Sequence, residues 1–281
     1  MIREIDVGRV TDAVCQACIE ANHTLSPDMA AALERAAERE TDPLAWRILS
    51  QLRENLRIAG EEQVPICQDT GMAVVFLDIG QDVHFTGGDL AAAVHEGVRR
   101  ACREGYLRPS VVDDPLLRTN TGDNSPAVLH CAVVPGRHVT ITVAPKGFGS
   151  ENMSRLFLLK PADGAEGVRE AVLRTVAEAG PNACPPLVVG VGLGGTMEQA
   201  ALLAKRALLR PVGEGAPQPH IRALEWELLE RINALGIGPS GLGGDTTALA
   251  VHVNACPTHI AGLPVAVNLC CHVNRHVRRT L

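Results

Sequence analysis

Hydrophobic and polar positions change period along this chain, from helical spacing at the start to mixed spacing later. Val10, Val14 and Ile19 lie on one stripe of an amphipathic helix over residues 10–21. Ser26-Pro27 opens a second helix running to about Arg39. Asp42-Pro43 starts a third, striped by Leu44, Ile48, Leu49, Leu52 and Leu56, with Gly60 as its expected end. Residues 73–79 are apolar and predict a compact strand, and Asp89 is the expected cap of a helix to about Arg103. Val128, His130, Ala132 and Val134 alternate, as do Val139, Ile141 and Val143, and Pro135-Gly136-Arg137 lies between them. That pattern predicts a β-hairpin. A helix over 165–179 ending at Gly180, a strand over 187–193 and a helix over 221–235 follow. Strands over 248–253 and 264–269 complete the reading, with Cys256-Pro257-Thr258-His259 as a polar turn between them. The class is α+β: a helical N-terminal region followed by mixed or antiparallel strands and helices. With no internal repeat, low-complexity linker or sharp boundary, residues 1–281 read as a single domain.

Composition narrows the function classes. Hydrophobic residues make up 46% and charged residues 21%, as in ordinary globular proteins, while 2% aromatics leave Ala, Val, Leu and Ile to build the core. The net charge is −6 and the basic run near Arg275–Arg279 is short, which argues against nucleic acid as a partner. A charged N-terminus without an apolar signal core, and no uncharged apolar run of about 18 residues, predict a cytoplasmic protein without membrane contact.

Polar loops interrupt the apolar pattern at several points. Val64-Pro65-Ile66-Cys67-Gln68-Asp69-Thr70-Gly71 gathers a thiol, an amide, a carboxylate and a hydroxyl between a stiffening proline and a permissive glycine. Such a loop on a rigid scaffold can carry chemistry, or can be a plain connector with one buried cysteine. Arg118 to Asn124 is rich in hydrogen-bonding groups. Lys146 to Asn152 contains glycines that would let backbone N–H groups approach an anion, with Lys146 adding charge. Gly236 to Thr247 has too many glycines for a mere linker and reads as a binding loop. Gly190-Val191-Gly192-Leu193-Gly194-Gly195 is a literal G-x-G-x-x-G, the signature of a dinucleotide-binding oxidoreductase. Two of its glycines sit inside the apolar strand and no second βαβ unit is evident, so close backbone packing accounts for it better.

Nine cysteines in a reducing compartment are expected to be thiols, not disulfides. Cys15 and Cys18 form a C-x-x-C but fall within a helical pattern, and Cys102 and Cys131 read as core. Cys67, Cys184 and one of the pair Cys270/Cys271 differ, since each sits at a loop–strand junction beside Pro, Gly or polar side chains. Their wide spacing fits neither zinc ribbons nor ferredoxins. Three thiolates converging from distant loops would suit a [4Fe–4S] cluster with one open iron. A cysteine nucleophile and three buried thiols remain alternatives on spacing alone.

The motifs resemble those of class I, iron–sulfur fumarate hydratases. The resemblance rests on Pro65 to Gly71, Asn120-Thr121-Gly122, Lys146 to Asn152, Ala183-Cys184-Pro185-Pro186 and Pro264 to Arg275, in order over nearly the whole chain. The chain is similar to the α subunit of the two-subunit form, with the L-tartrate dehydratase α subunit as the nearest alternative and a mesaconate-type hydratase beside it. Gly149-Ser150-Glu151-Asn152 resembles the fumarase branch more closely, whereas Phe148 departs from a commoner glycine. The resemblance implies Cys67, Cys184 and Cys271 as ligands of a [4Fe–4S] cluster with one open iron, Cys271 being preferred to Cys270 by alignment. It implies Gln68, Arg108 and Gly149 as contacts of a small dicarboxylate, and Asp69 and His259 as catalytic groups. Reversible hydration of fumarate to (S)-malate is the implied reaction. Further substrate-binding groups come from the C-terminal half of single-chain relatives. The chain, which ends soon after Cys271, is therefore expected to be inactive without a β subunit, in an α2β2 assembly.

Overall fold

A computed structural model describes residues 2–281, which form two compact units, each assembled from separated stretches of chain. Among the described residues, the first comprises 2–26, 55–148 and 275–281, and the second 27–54 and 149–274. The α+β class holds in both, and the helical N-terminal region is present.

In the first unit, β1 (Arg3–Asp6) leads into α1 (Val7–His23), where the Asp6 side chain caps the helix by accepting from the Gly8 N–H. After the end of α3 (Pro43–Glu62) come β2 (Met72–Gly80), β3 (Val83–Thr86) and α4 (Leu90–Glu104). Asp89 caps α4 as expected, accepting from the Ala92 N–H. The strands β4 (Val128–Val134) and β5 (Val139–Lys146) do not form the predicted hairpin. The sheet order is β10-β5-β2-β4, with β2 parallel to β4 and antiparallel to β5, and with β10 (Val277–Thr280) outside β5. The run Ala73–Leu77 is buried throughout, so it gains most from the centre of the sheet and displaces the sequence-adjacent pairing. β1 and β3 pair in parallel as a separate ribbon. Val10, Val14 and Ala17 of α1, Val94 and Val98 of α4, and Val75, Leu77, Ile141 and Val143 of the sheet share one core. Cys15, Cys18 and Cys102 belong to it, and burial raises the Cys15 thiol to about 11 and the Cys18 thiol to about 12, as inert packing groups. Cys131 is not core: it is exposed on β4, the edge strand of its sheet. Gly60 lies inside α3 and does not end it.

The second unit begins with α2 (Pro27–Arg39) and the first part of α3. From Gly149 it contains most of the one-turn α5 (Phe148–Glu151), β6 (Arg155–Leu159), α6 (Gly164–Ala179) and β7 (Leu187–Gly195). It continues with α7 (Met197–Ala207), α8 (Pro219–Asn233), β8 (Ala248–Thr258) and β9 (Leu263–Cys270). Its sheet has the order β6-β9-β7-β8, with β7 parallel to β8 and antiparallel to β9. Successive strand residues face opposite sides. Val189 and Val191 of β7 pack against α6 and α8 through Val172, Val176 and Leu228, while Gly190 and Gly192 face Ala200 and Ala204 of α7. The glycine motif is therefore a packing seam. The Cys256-Pro257-Thr258 segment is not a turn but the end of β8, and only from His259 does the chain turn.

His252 on β8 is 2% exposed and is bonded through its ring to the Ala207 carbonyl, while its Nδ1 has no partner among the described residues. Burial lowers its pKa to about 4; Arg210 pushes the same way, and Glu225 and Asp28 oppose. The unfolded chain binds this proton near pH 6.5 and the folded chain only near 4, so stability falls as pH drops through that window. The loss amounts to about 3 kcal/mol at most. Urea unfolding at about pH 7 and about pH 4.5 is expected to show a smaller acid loss for His252→Gln than for the native protein. Equal losses would show that His252 titrates normally.

Candidate active site

The loop predicted to organise the chain is built as a set of backbone clamps within the first unit. Ile66 is buried, its N–H donating to the Asn22 carbonyl and its carbonyl accepting from Asn55 Nδ2, so the chain enters the loop on a fixed path. Cys67 is partly exposed, Gln68 exposed and Asp69 partly exposed. The Asp69 N–H lies 3.4 Å from Cys67 Sγ, and that thiol is 3.2 Å from Gln68 Oε1. Both oxygens of the Asp69 carboxylate are held by backbone: Oδ1 accepts from the Gly71 N–H at 3.1 Å and Oδ2 from the Phe148 N–H at 2.9 Å. Gly71 has φ +77°, and a Cβ there would lie 2.7 Å from the Lys146 carbonyl carbon, so only glycine lets the loop close on β5. Lys146 itself is buried. One expected anion-binding N–H, that of Phe148, is therefore already committed to Asp69.

Thr70 ties this loop to Arg108. Its hydroxyl accepts from the Arg108 N–H at 2.9 Å and lies 3.2 Å from the Arg108 carbonyl. The Arg108 side chain is exposed. The polar stretch after it is a brace: Asn120 Nδ2 donates to the Pro109 carbonyl, and buried Asn124 bridges the Ser110 N–H and the Gly71 carbonyl. Gln68, Asp69 and Arg108 are thus brought onto one framework, held by Thr70 and Asn124.

In the second unit, Cys184 and Cys271 meet at one end of the sheet. Cys184 is exposed, with left-handed φ 54° and ψ 64°, just before β7, and Cys271 follows the last residue of β9. Because β7 and β9 are antiparallel, with Val188 opposite Cys270, both cysteines fall at the same edge. The His272 N–H and its ring Nδ1 both approach the Cys184 carbonyl, at 3.4 and 3.2 Å. The glycine-rich loop predicted to bind a ligand also buttresses this arm: Ser240 N–H donates to the Pro185 carbonyl, and Gly241 packs against Pro181. Cys270 is 3% exposed within β9 and Cys271 is partly exposed. A hydrogen bond with the Cys270 thiol, together with burial, raises the Cys271 pKa well above its ordinary value, so binding a metal there would release a proton.

Gly149 is exposed, at the start of the second unit's α5 segment, and the following residues are firmly anchored. Glu151 pairs with Lys205 and accepts from Asn268 Nδ2, and Ser154 Oγ accepts from the Leu269 N–H. His259 lies elsewhere. Thr258 pairs with Gly195, at the opposite end of β7 from Cys184, roughly 26 Å away along a nine-residue strand. Within this unit the structure does not bring His259 to the cysteine pair.

Among the described residues, no group of three or more His, Cys, Asp or Glu side chains is gathered closely enough to hold a single metal ion. A cubane asks for something different, because each of its thiolates binds a separate iron at its own corner. Cys67, Cys184 and Cys271 suit such a group chemically: none is in a disulfide, each is at least partly exposed, and an N–H already faces the Cys67 sulfur. No helix among the described residues is long and apolar enough to cross a membrane.

Sequence reasoning missed one residue in each unit. His272, next to Cys271, reaches the Cys184 carbonyl, and Arg275 donates to the Asp69 carbonyl at 2.5 Å. Proximity to Cys271 was the only signal for either.

Comparison with known proteins agrees in extent. The model of the family described as fumarate hydratase (Fumerase) matches residues 11–280. A protein of Methanocaldococcus jannaschii named "Putative L(+)-tartrate dehydratase subunit alpha" is 45% identical over 273 residues, covering 95% of each chain. The L(+)-tartrate dehydratase subunit alpha of Escherichia coli strain UTI89 is 32% identical over 272 residues, covering 96% of this chain and 89% of its own. With a family match over nearly its full length and relatives aligned end to end, the chain belongs to the fumarate hydratase family.

Proposed function

We propose that this chain is the α subunit of a two-subunit iron–sulfur hydro-lyase acting on a four-carbon dicarboxylate, its two units forming one functional domain. The observation that carries the reading is the Cys67–Gly71 loop, where a thiol adjoins a carboxylate fixed by two backbone N–H groups. Cys67, Cys184 and Cys271 would hold a [4Fe–4S] cluster. When bound, a cluster with one open iron supplies a Lewis acid that makes a hydroxyl a better leaving group. Arg108 presents an exposed guanidinium suited to clamp a carboxylate through two N–H groups, with the Gln68 amide and the Gly149 N–H as further contacts. Asp69, immobilised before substrate arrives, moves the proton without reorganising its carboxylate. His259 receives no step here, because of its distance from Cys184 and Cys271. Relatives named as α subunits support a β subunit as partner; an α2β2 assembly and a cytoplasmic setting are what the family resemblance and the sequence imply.

For the substrate, reversible hydration of fumarate to (S)-malate is the reading favoured by the family match and the 149–152 loop. The second reading is dehydration of L-tartrate, which the names of both relatives favour. The α and β chains are to be co-expressed, loaded anaerobically with iron and sulfide, and assayed on fumarate, L-tartrate and mesaconate. The expected result is turnover of fumarate or L-tartrate that requires both chains, with five-carbon mesaconate as the comparison, and no turnover of either C4 substrate would overturn the proposal. In the same assay Asp69→Asn is expected to lower kcat by about 10²–10⁴-fold with iron content retained and Tm somewhat lowered, since an amide offers one acceptor where the carboxylate serves two backbone N–H groups. A near-native kcat would remove Asp69 from the chemistry.

A further inference from the structure

Arg275 carries a buried charge with no counter-charge beside it. Its side chain is part of a residue only 4% exposed. Nη2 donates to the Asp69 carbonyl at 2.5 Å, while Nε and Nη1 are buried without any hydrogen-bond partner. No carboxylate of the described residues pairs with it. Arg275 acts electrostatically on the Cys18 thiol, but burial raises that thiol to about 12 and keeps it neutral. A guanidinium in this state costs several kcal/mol to bury unless something anionic offsets it. Its one bond points to where that anion belongs. Asp69 accepts from Arg275 through its carbonyl and offers its N–H to Cys67 Sγ, so a single residue links the cation to the sulfur.

We infer that Arg275 is a positioning residue for the Cys67 arm, which fixes the Asp69 backbone against the sulfur and supplies the positive charge that offsets an anionic group held there. This inference rests on the iron–sulfur reading of the site. Nε and Nη1 are closed to solvent, so Arg275 acts through Asp69 and through its field, and touches neither substrate nor cluster. Hydrogen bonding to ligand sulfur and nearby charge are the levers by which a protein sets the potential of such a centre. Adding an electron adds negative charge, which a fixed cation favours. Removing the cation therefore makes reduction harder.

The test uses the loaded αβ complex with Arg275→Gln, Arg275→Met and Arg275→Lys. Midpoint potentials are to be read by redox titration with electron paramagnetic resonance detection, and circular dichroism checks the fold. A shift to more negative potential in the folded Gln or Met variant, with Lys near the native value, is the expected result. Loss of the cluster from Gln and Met at native secondary structure, with Lys still loaded, also supports the inference, since the charge is then needed to retain the group. Unchanged potentials in the folded Gln or Met variant would overturn it. Unfolding of all three variants would do the same, by leaving Arg275 a structural role only. Failure of the native complex to take up iron and sulfide is a separate outcome, and it would sink the iron–sulfur reading and this inference with it.

Discussion

Cys184→Ser is expected to abolish iron and sulfide retention after anaerobic loading and to lower hydro-lyase activity by more than about a hundredfold, since loss of mere supporting contacts costs about 10–100-fold. Serine nearly keeps the volume of the side chain but offers an oxygen that stays protonated where a thiol loses its proton to solvent and binds iron as thiolate. The fold should survive, because Cys184 is exposed and its backbone is held by others: its N–H by the Pro181 carbonyl, its carbonyl by His272. Cys18→Ser is the control. That thiol is buried in α1 with a pKa of about 12, so its replacement should cost some stability and no iron. Iron analysis and circular dichroism on both variants decide the matter. If Cys18→Ser loses iron and Cys184→Ser does not, the ligand set is wrong.

What could be read from the sequence follows from how local each signal is. The helices were legible because caps and stripes lie within a few residues of one another. The Asp89 cap and the Val10–Val14 stripe both appear in the structure. The strands β1, β3, β6 and β10 were not. They are short, only β3 (Val83-His84-Phe85-Thr86) alternates and then for just four residues, and each is defined by a partner far away in sequence, as Arg3 by Val83 and Val277 by Val143. The hairpin expectation failed for the same reason, since nothing near residues 128–143 indicates that β2 will enter between the two strands. Cys131 lies in an alternating strand and reads as core, yet that strand is a sheet edge and the thiol is exposed. Each compact unit is discontinuous in sequence, so no linker composition marks where one ends.

The site divides along the same line. Cys67, Asp69 and Cys184 stood out because proline and glycine beside polar groups constrain the backbone locally, and the structure shows those constraints. His272 and Arg275 did not, because a histidine and an arginine near a chain terminus read as surface residues until the fold buries one and bonds the other. The glycine-rich loop over 236–247 has a second use that the sequence did not separate from ligand binding. Positive φ at Gly238 and Gly241 serves close packing against neighbouring atoms, and the sequence signature of that use is the same as that of ligand approach.

The G-x-G-x-x-G allows the two uses to be separated by stability alone. Gly192 is expected to be intolerant of any side chain, because a Cβ there would lie 1.9 Å from the Ala200 carbonyl oxygen and 2.6 Å from the Ala204 nitrogen. Both are backbone atoms of α7, so no rotamer change relieves the clash, and the helix must move off the sheet. Overpacking of this kind costs about 1–3 kcal/mol, and an unyielding backbone contact lies at or above that range. Gly60→Ala should have the opposite sign. Gly60 lies inside α3, and a Cβ there meets nothing within 4 Å, so alanine gains about 0.5–1 kcal/mol of helix stability. Urea unfolding is therefore expected to show a lowered midpoint for Gly192→Ala and a raised one for Gly60→Ala. A phosphate-cradling loop predicts another pattern: NAD⁺ or NADP⁺ binding by the native protein, abolished in Gly192→Ala at nearly unchanged stability. That result would restore the dinucleotide reading, whereas a destabilised Gly192→Ala and no binding by the native chain would confine these glycines to helix–sheet packing.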